Sequence, residues 1–479
     1  MLFRKLSAAV CLCLLLCLAA CAAVPAEPAS APAPAASSSP APAATEEPPA
    51  ETPPPTVTLA GQSYPLDTRE LRLENPDADT LAALCAAAPD FRSLQTVALD
   101  GALVTPEQLL ALREAFPEAE LRYTVSLFGG DYAWDTSVLD LSSLSCAELA
   151  SGPLPQLRAI LPMLEKIDLL GSGAQERDLD ELSALRAAVP EEISIVCRFS
   201  LFDQVLDSGM EEIVYEKAGL KSEDLDTVRK ALPLLSSCRR FVLDNCGPSY
   251  EALAKLRDEF PEKGVVWRVH LKQDSLLTDE TVLWTIYIDD DNCKVLNYCT
   301  ELEYIDLGHC DWFSDISFTA YMPKLKVLII ALTAVEDLSP LANCPELEYL
   351  EVFGSKVHDL SPLASCTKLE HLNIGTLFYL RDITPLYGLT NLKRLWMVNS
   401  GGVPQAQRDE ITRLLPDCEM RLFSAEDPTW YGWRKLPNGE LDERYALLKE
   451  QIGYNGYNSP ADKIDWDKSW KPGYAELSP

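Results

Sequence analysis

The sequence predicts an α/β solenoid, a stack of coils in each of which a short strand leads into a helix or tight turn. Two periodicities predict it. Prolines closing short apolar helices recur at fixed steps in the first part of the chain, and LxL strands recur every 22 or 23 residues further on. A chain of 479 residues could hold two to four ordinary domains, but repeats of this kind favour one long array.

Residues 1–20 read as a secretory signal: Arg4 and Lys5, an apolar core from about Leu6 to Leu16, then small residues. That core is too short for a transmembrane helix. Leu18-Ala19-Ala20-Cys21 resembles the bacterial lipoprotein box, which implies cleavage before Cys21 and lipidation of its thiol. Residues 21–56 follow as a tether with eleven prolines and no aromatic residue. Such a composition buries too little apolar surface to fold. In polyproline II form it would reach at most about 110 Å from a membrane.

Residues 57–290 carry the long-period coils. An apolar residue lies five positions ahead of each marker proline: Leu84 and Pro89, Leu112 and Pro117, Leu157 and Pro162, Leu185 and Pro190, Val228 and Pro233, Leu256 and Pro261, and, beyond this segment, Ile411 and Pro416. Within pairs the prolines are 28 apart, and the pairs repeat at 73 and 71 residues. Each unit of about 72 residues therefore holds two helical coils and a third, strand-like segment. Those segments begin at Leu121, Ile193 and Val265.

Residues 291–424 carry short coils, with Ile305, Leu328, Leu350, Leu372 and Leu395 in register. ELEYIDLGHC, KLKVLIIALT and ELEYLEVFGS alternate with EDLSPLANC and HDLSPLASC. This resembles the leucine-rich repeats of the bacterial internalins, closely over Cys299–Ser400 and more loosely over about Leu71–Asp290. The resemblance implies a leucine-rich repeat solenoid with a curved parallel sheet on the concave face and short helices and 3-10 turns on the convex face. It also implies a bacterial surface lipoprotein. At the family's asparagine position stand Cys246, Cys310, Thr333, Ser355, Leu377 and Ser400, so an irregular coil is expected at Leu377. Residues 425–479 read as an irregular C-terminal cap, with Trp430, Trp433 and Tyr445 covering the last coil.

Side chains of a strand alternate, so the leucines of LxL face the core and their neighbours face the concave surface. One outward row holds Tyr304, Val327, Tyr349, His371 and Arg394; the next Asp306, Ile329, Glu351, Asn373 and Trp396; the last Gly308, Ala331, Phe353, Gly375 and Val398. Exposed Tyr349, Phe353 and Trp396 beside acids suit a polypeptide partner or stacked sugar rings, or else only support cross-strand packing.

A net charge of −32, from 73 acidic and 41 basic residues, argues against nucleic acid as a partner. It also argues against adhesion to anionic head groups. Eleven cysteines follow Cys21; Cys238, Cys299, Cys344 and Cys366 occupy slots that leucine fills elsewhere, so buried free thiols are expected over disulfides. Asp289-Asp290-Asp291-Asn292 lacks the glycine and glutamate of a calcium loop and reads as a turn. The four histidines fall in different coils, and HExxH, GxSxG and GxxxxGK[ST] are absent, so no catalytic, metal or cofactor residue is assigned. The expected function is a non-catalytic, monomeric, membrane-anchored module that binds a protein or peptide through Tyr304, Asp306, Ile329, Tyr349, Glu351, Phe353, His371, Asn373, Arg394 and Trp396. An envelope scaffold and a glycan-binding accessory protein are the alternatives.

Overall fold

A computed structural model of the chain describes residues 55–59, 61–172, 175–423, 433–436 and 438–453. Cys21, the expected signal and tether up to Pro54, and Trp430 lie outside the described residues. Among these residues no helix is long and apolar enough to cross a membrane.

The long coils form three units, each ending in a hairpin. After an entry hairpin of β1 (Thr56–Leu59) and β2 (Gln62–Pro65), the first unit lays β3 (Glu70–Glu74), β4 (Thr96–Val104) and β5 (Glu120–Leu127) in parallel. Then β6 (Gly130–Ala133) folds back antiparallel on β5. Phe128 and Gly129, both at positive φ, make its two-residue turn. The second unit has β7 (Val138–Asp140), β8 (Lys166–Asp168) and β9 (Ser194–Val196), with the hairpin β10 (Arg198–Leu201) and β11 (Gln204–Asp207). The third has β12 (Glu212–Glu216), β13 (Arg240–Asp244) and β14 (Val265–His270), with β15 (Ser275–Leu277) folding back. All three strand-like segments are thus strands, and the chain leaves the sheet by a hairpin after each.

The returning helices are α1 (Ala78–Ala87), α2 (Pro106–Ala115), α3 (Cys146–Ala150), α4 (Leu157–Ile160), α5 (Leu179–Ala188), α6 (Leu225–Ala231) and α7 (Tyr250–Glu259). Their starts are chemically marked. Asp77, Thr105, Ser145, Asp178 and Ser249 each accept a hydrogen bond from a first-turn backbone N–H. The residues five ahead of each proline, from Leu84 to Ile411, are buried, because the proline ends the helix where its apolar stripe has been spent on the core.

From Val282 one uninterrupted seven-stranded parallel sheet runs through β16 (Val282–Trp284), β17 (Tyr304–Asp306), β18 (Val327–Ile329), β19 (Tyr349–Glu351), β20 (His371–Asn373), β21 (Arg394–Trp396) and β22 (Glu419–Arg421). The regular sheet therefore begins inside the segment that the sequence assigns to long coils. Its convex returns are single 3-10 turns such as Ser339–Asn343 and Ser361–Ser365, with proline at the start. The last return is α8 (Gln405–Leu414), and α9 (Glu443–Ile452) follows.

The coils of β17 to β21 turn out of the sheet through a left-handed residue five positions after the strand begins: His309, Leu332, Gly354, Thr376 and Asn399. Asn75, Gly171, Lys217 and Asn245 do the same in the long coils, and Gly101 lies at the register shift inside β4. The N–H of the left-handed residue itself donates to the neighbouring coil, as in His309 to Ala331 O (2.9 Å) and Thr376 to Val398 O (2.7 Å). This backbone ladder stands in for the missing asparagines. The irregularity expected at Leu377 is absent: Leu377 is buried, its N–H donates to Ser400 Oγ at 3.1 Å, and β20 pairs with β21 in unbroken register.

The eleven cysteines from Cys85 to Cys418 are free, nine of them buried. Burial pushes the Cys299 and Cys344 thiols up to about 12, which leaves them protonated core groups. Asp289 and Asp290 serve turns: Asp289 accepts from Asn292 N (3.0 Å) and Asp290 from Ser314 N and Asp315 N (2.7 and 2.8 Å). No group of metal-ligating side chains occurs among the described residues.

Candidate functional site

The outward rows of the short coils lie side by side as strand pairing requires. Tyr304, Val327, Tyr349, His371 and Arg394 are successive partners, as are Asp306, Ile329, Glu351, Asn373 and Trp396. What differs is their exposure. Trp396 is 1% exposed and Glu351 0%; Asp306, Ile329, Tyr349, His371, Asn373 and Arg394 are buried, and Tyr304 and Phe353 are half-buried. The expectation of exposed aromatics is therefore corrected. The cause is the C-terminal segment, which lies along the concave face instead of capping the last coil.

Trp433 enters first. Its ring centre is 5.4 Å from Trp396, 5.5 Å from Tyr349 and 6.4 Å from His371. The Arg394 guanidinium lies over both indoles, 4.7 Å from Trp396 and 5.0 Å from Trp433. It also pairs with Glu419 (3.0 Å) and with Asp442 (2.9 Å).

Arg434 comes next and donates to Glu351 Oε2 at 2.7 Å, while the Tyr349 hydroxyl donates to the other carboxylate oxygen. Burial opposes the Arg434 charge, but Glu351 and the rings of Tyr445 and Tyr349 outweigh it and hold the guanidinium protonated. The same burial, with the Glu351 charge adding to it, pushes the Tyr349 phenol far above its ordinary range. A turn closed by Leu436 N to Glu440 O (2.7 Å) then leads to Asp442, whose carboxylate caps α9 by accepting from Arg444 N and Tyr445 N.

Helix α9 lies against β16 and β17. Its Tyr445, Leu448 and Ile452 join Val327, Ile329, Ala331, Tyr349, Trp396 and Trp433 in a second apolar cluster, separate from the solenoid core. Arg444 pairs with Glu348 at 3.7 Å. His371, buried here and facing Arg444, Arg394 and Lys393, falls from its usual range to about 3 and is neutral.

No family model matches the chain, and no curated protein matches it. Solved structures similar to it include an internalin C2 of Listeria monocytogenes, 21% identical, covering 31% of this chain and 72% of that one with a TM-score of 0.23. An internalin (inlF) of the same organism is 16% identical over 77% of this chain and 86% of its own, with a TM-score of 0.26. A leucine-rich repeat protein of Leptospira interrogans is 13% identical over 73% and 93%, with a TM-score of 0.24. Likeness this distant carries no function, and the coils themselves decide the fold. The chain is a leucine-rich repeat solenoid. Parallel strands on one face, 3-10 and helical returns on the other, and leucines filling the space between them define it.

Sequence reading of the solenoid placed the face but missed its occupant. Trp433, Arg434, Asp442, Arg444, Tyr445 and Leu448 complete the site. Two signals pointed to them: an aspartate-capped amphipathic helix after the last repeat, and arginines in a chain poor in cations.

Proposed function

We propose that this leucine-rich repeat solenoid is a membrane-anchored, non-catalytic module that binds a polypeptide on the concave face of its short coils. One observation carries the reading: that face holds a polypeptide segment, Trp433–Ile452, through an indole slot, a buried carboxylate and an apolar shelf. Aromatic and arginine anchors of this sort dominate protein recognition. Lipidation at Cys21 would place the module on a bacterial membrane.

The Trp396→Ala, Phe353→Ala double variant tests the face. It should lose capture of the protein's partner from native envelope extract while keeping the fold by circular dichroism; undiminished capture rejects the face. For the anchor, Cys21→Ala should move the chain from the detergent phase to the aqueous phase on Triton X-114 partitioning.

An envelope scaffold is the second reading, favoured by the exposed aromatics Trp312 (69%) and Tyr379 (67%). A deletion phenotype rescued by the concave-face double variant would select it.

A further inference from the structure

The covered face carries charged and polar groups that point outward from the sheet and meet the C-terminal segment. Glu351 points out of the middle of a sheet, and its neighbours in the row, Ile329 and Asn373, carry no charge. A carboxylate with no exposure needs a cation, and Arg434 brings it from outside the sheet. At the strand entry, charges pair from coil to coil, Glu303 with Lys326 (2.6 Å) and Glu370 with Lys393 (2.7 Å). Glu348 falls between them, and Arg444 of the C-terminal helix comes within 3.7 Å of it. The solenoid thus offers two acidic sockets on either side of Tyr349.

The present occupant fills these sockets yet leaves polar atoms unmatched. His371 Nδ1, Asn373 Nδ2, Trp433 Nε1 and Arg444 Nε are buried with no hydrogen-bond partner among the described residues. Asn373 Oδ1 accepts from Gly375 N (3.1 Å), so the orphan on that side chain is the NH2 donor. Interiors mostly pair such groups, and each one left unpaired weakens the contact. The segment matches the face in charge and shape, and hydrogen-bonds it through Arg434 to Glu351, but leaves these four atoms unpaired.

Resting on the reading of the concave face as a polypeptide site, we infer that its partner is a separate polypeptide presenting arginine beside tryptophan ahead of an amphipathic helix, and that Trp433–Ile452 is a competing occupant in cis. The arginine pairs with Glu351. The tryptophan fills the slot of Tyr349, His371 and Trp396, and a helix with a second arginine at Glu348 covers Val327 and Ile329. A better-matched partner also offers an acceptor to Asn373 Nδ2, and this difference lets it displace the chain's own segment.

A fluorescent synthetic peptide of residues 433–453 is the probe, read by anisotropy on the full chain. It should bind the Trp433→Ala, Arg434→Ala full chain, whose own segment is loosened, at least tenfold more tightly than the unaltered chain. Adding Glu351→Gln to the loosened chain should remove that binding. Equal binding to both chains, or indifference to Glu351→Gln, overturns the inference, as does no binding to a loosened chain that unfolds at the normal midpoint. Should the loosened chain fold poorly, the unaltered chain serves. Excess unlabelled peptide should then speed amide exchange in its own Glu443–Ile452, and unchanged exchange overturns the inference. If the peptide fails but envelope capture still depends on Trp396 and Phe353, the recognition rule falls alone; if that dependence is also missing, the reading of the face falls with it.

Discussion

The long coils over Glu70–Leu277 and the short coils over Val282–Arg421 build the same parallel layer by different means. Long coils return through α-helices and break their sheet with a hairpin in every unit; short coils return through 3-10 turns, with α8 before the last strand, and never break. Their outward faces differ more. In the first unit Arg72 pairs with Glu70 and Arg122 with Glu120, all of them exposed. The face satisfies itself in water. In the short coils the corresponding positions hold Tyr349, Glu351 and Trp396, which only another segment can satisfy. The outward chemistry of a coil, more than its curvature, decides whether the face stays bare or becomes occupied.

Charge removal tests that contrast most strongly. Arg434→Ala leaves the Glu351 carboxylate buried and unpaired, which should weaken docking of the C-terminal segment by about 3 kcal/mol. Limited tryptic cleavage after Lys435 and Arg444 should accelerate accordingly. Arg72→Ala, on the bare face, should leave the unfolding midpoint unchanged, since exposed ion pairs contribute little.

Acid should separate the two regions next. Burial, with Arg444, Arg394 and Lys393 nearby, lowers His371 from its ordinary value of 6.5 to about 3. A depressed value means that docking is fully favoured above about pH 6.5 and loses about 1.4 kcal/mol for each unit the pH falls towards 3. Amide exchange in Glu443–Ile452 should therefore rise between pH 6.5 and 4. His371→Gln should flatten that rise, while exchange in α7 of the long coils should not follow it.

Smaller effects concern the turns. Ser400 bridges two coils, donating to Ile374 O at 2.9 Å and accepting from Leu377 N. Ser400→Ala should destabilise the chain by about 1–2 kcal/mol in denaturant unfolding. The left-handed position holds Asn75, Gly171, Lys217 and Asn245 in long coils and His309, Leu332, Gly354, Thr376 and Asn399 in short ones. A β-branched side chain is strained there and asparagine much less so. Thr376→Asn should raise stability by up to about 1 kcal/mol, whereas Asn245→Thr should lower it by a similar amount.

Much of the fold was legible because its causes are local. The leucine five residues ahead of a proline is buried wherever that pattern occurs, and each LxL leucine faces the core, because helix and strand periods are set within a few residues. Cys299, Cys344 and Cys366 were readable as core thiols for the same reason: their slot in the coil is apolar. The left-handed turns were not legible, since residues as unlike as Leu332 and Gly354 occupy them under the pull of the inter-coil backbone ladder.

By itself, then, the sequence determined the coils, their phase, which side chains face the core and which fifteen form the outward rows named at the start. It could not say whether those rows meet water. Arg434 reaches Glu351 across 83 residues, and Trp433 reaches Trp396 past the helix of the last coil. A contact that distant leaves no periodicity in the chain. Tertiary structure decided it, because a buried carboxylate and three aromatic rings on an open sheet are stable only where a cation and an apolar cover are brought to them.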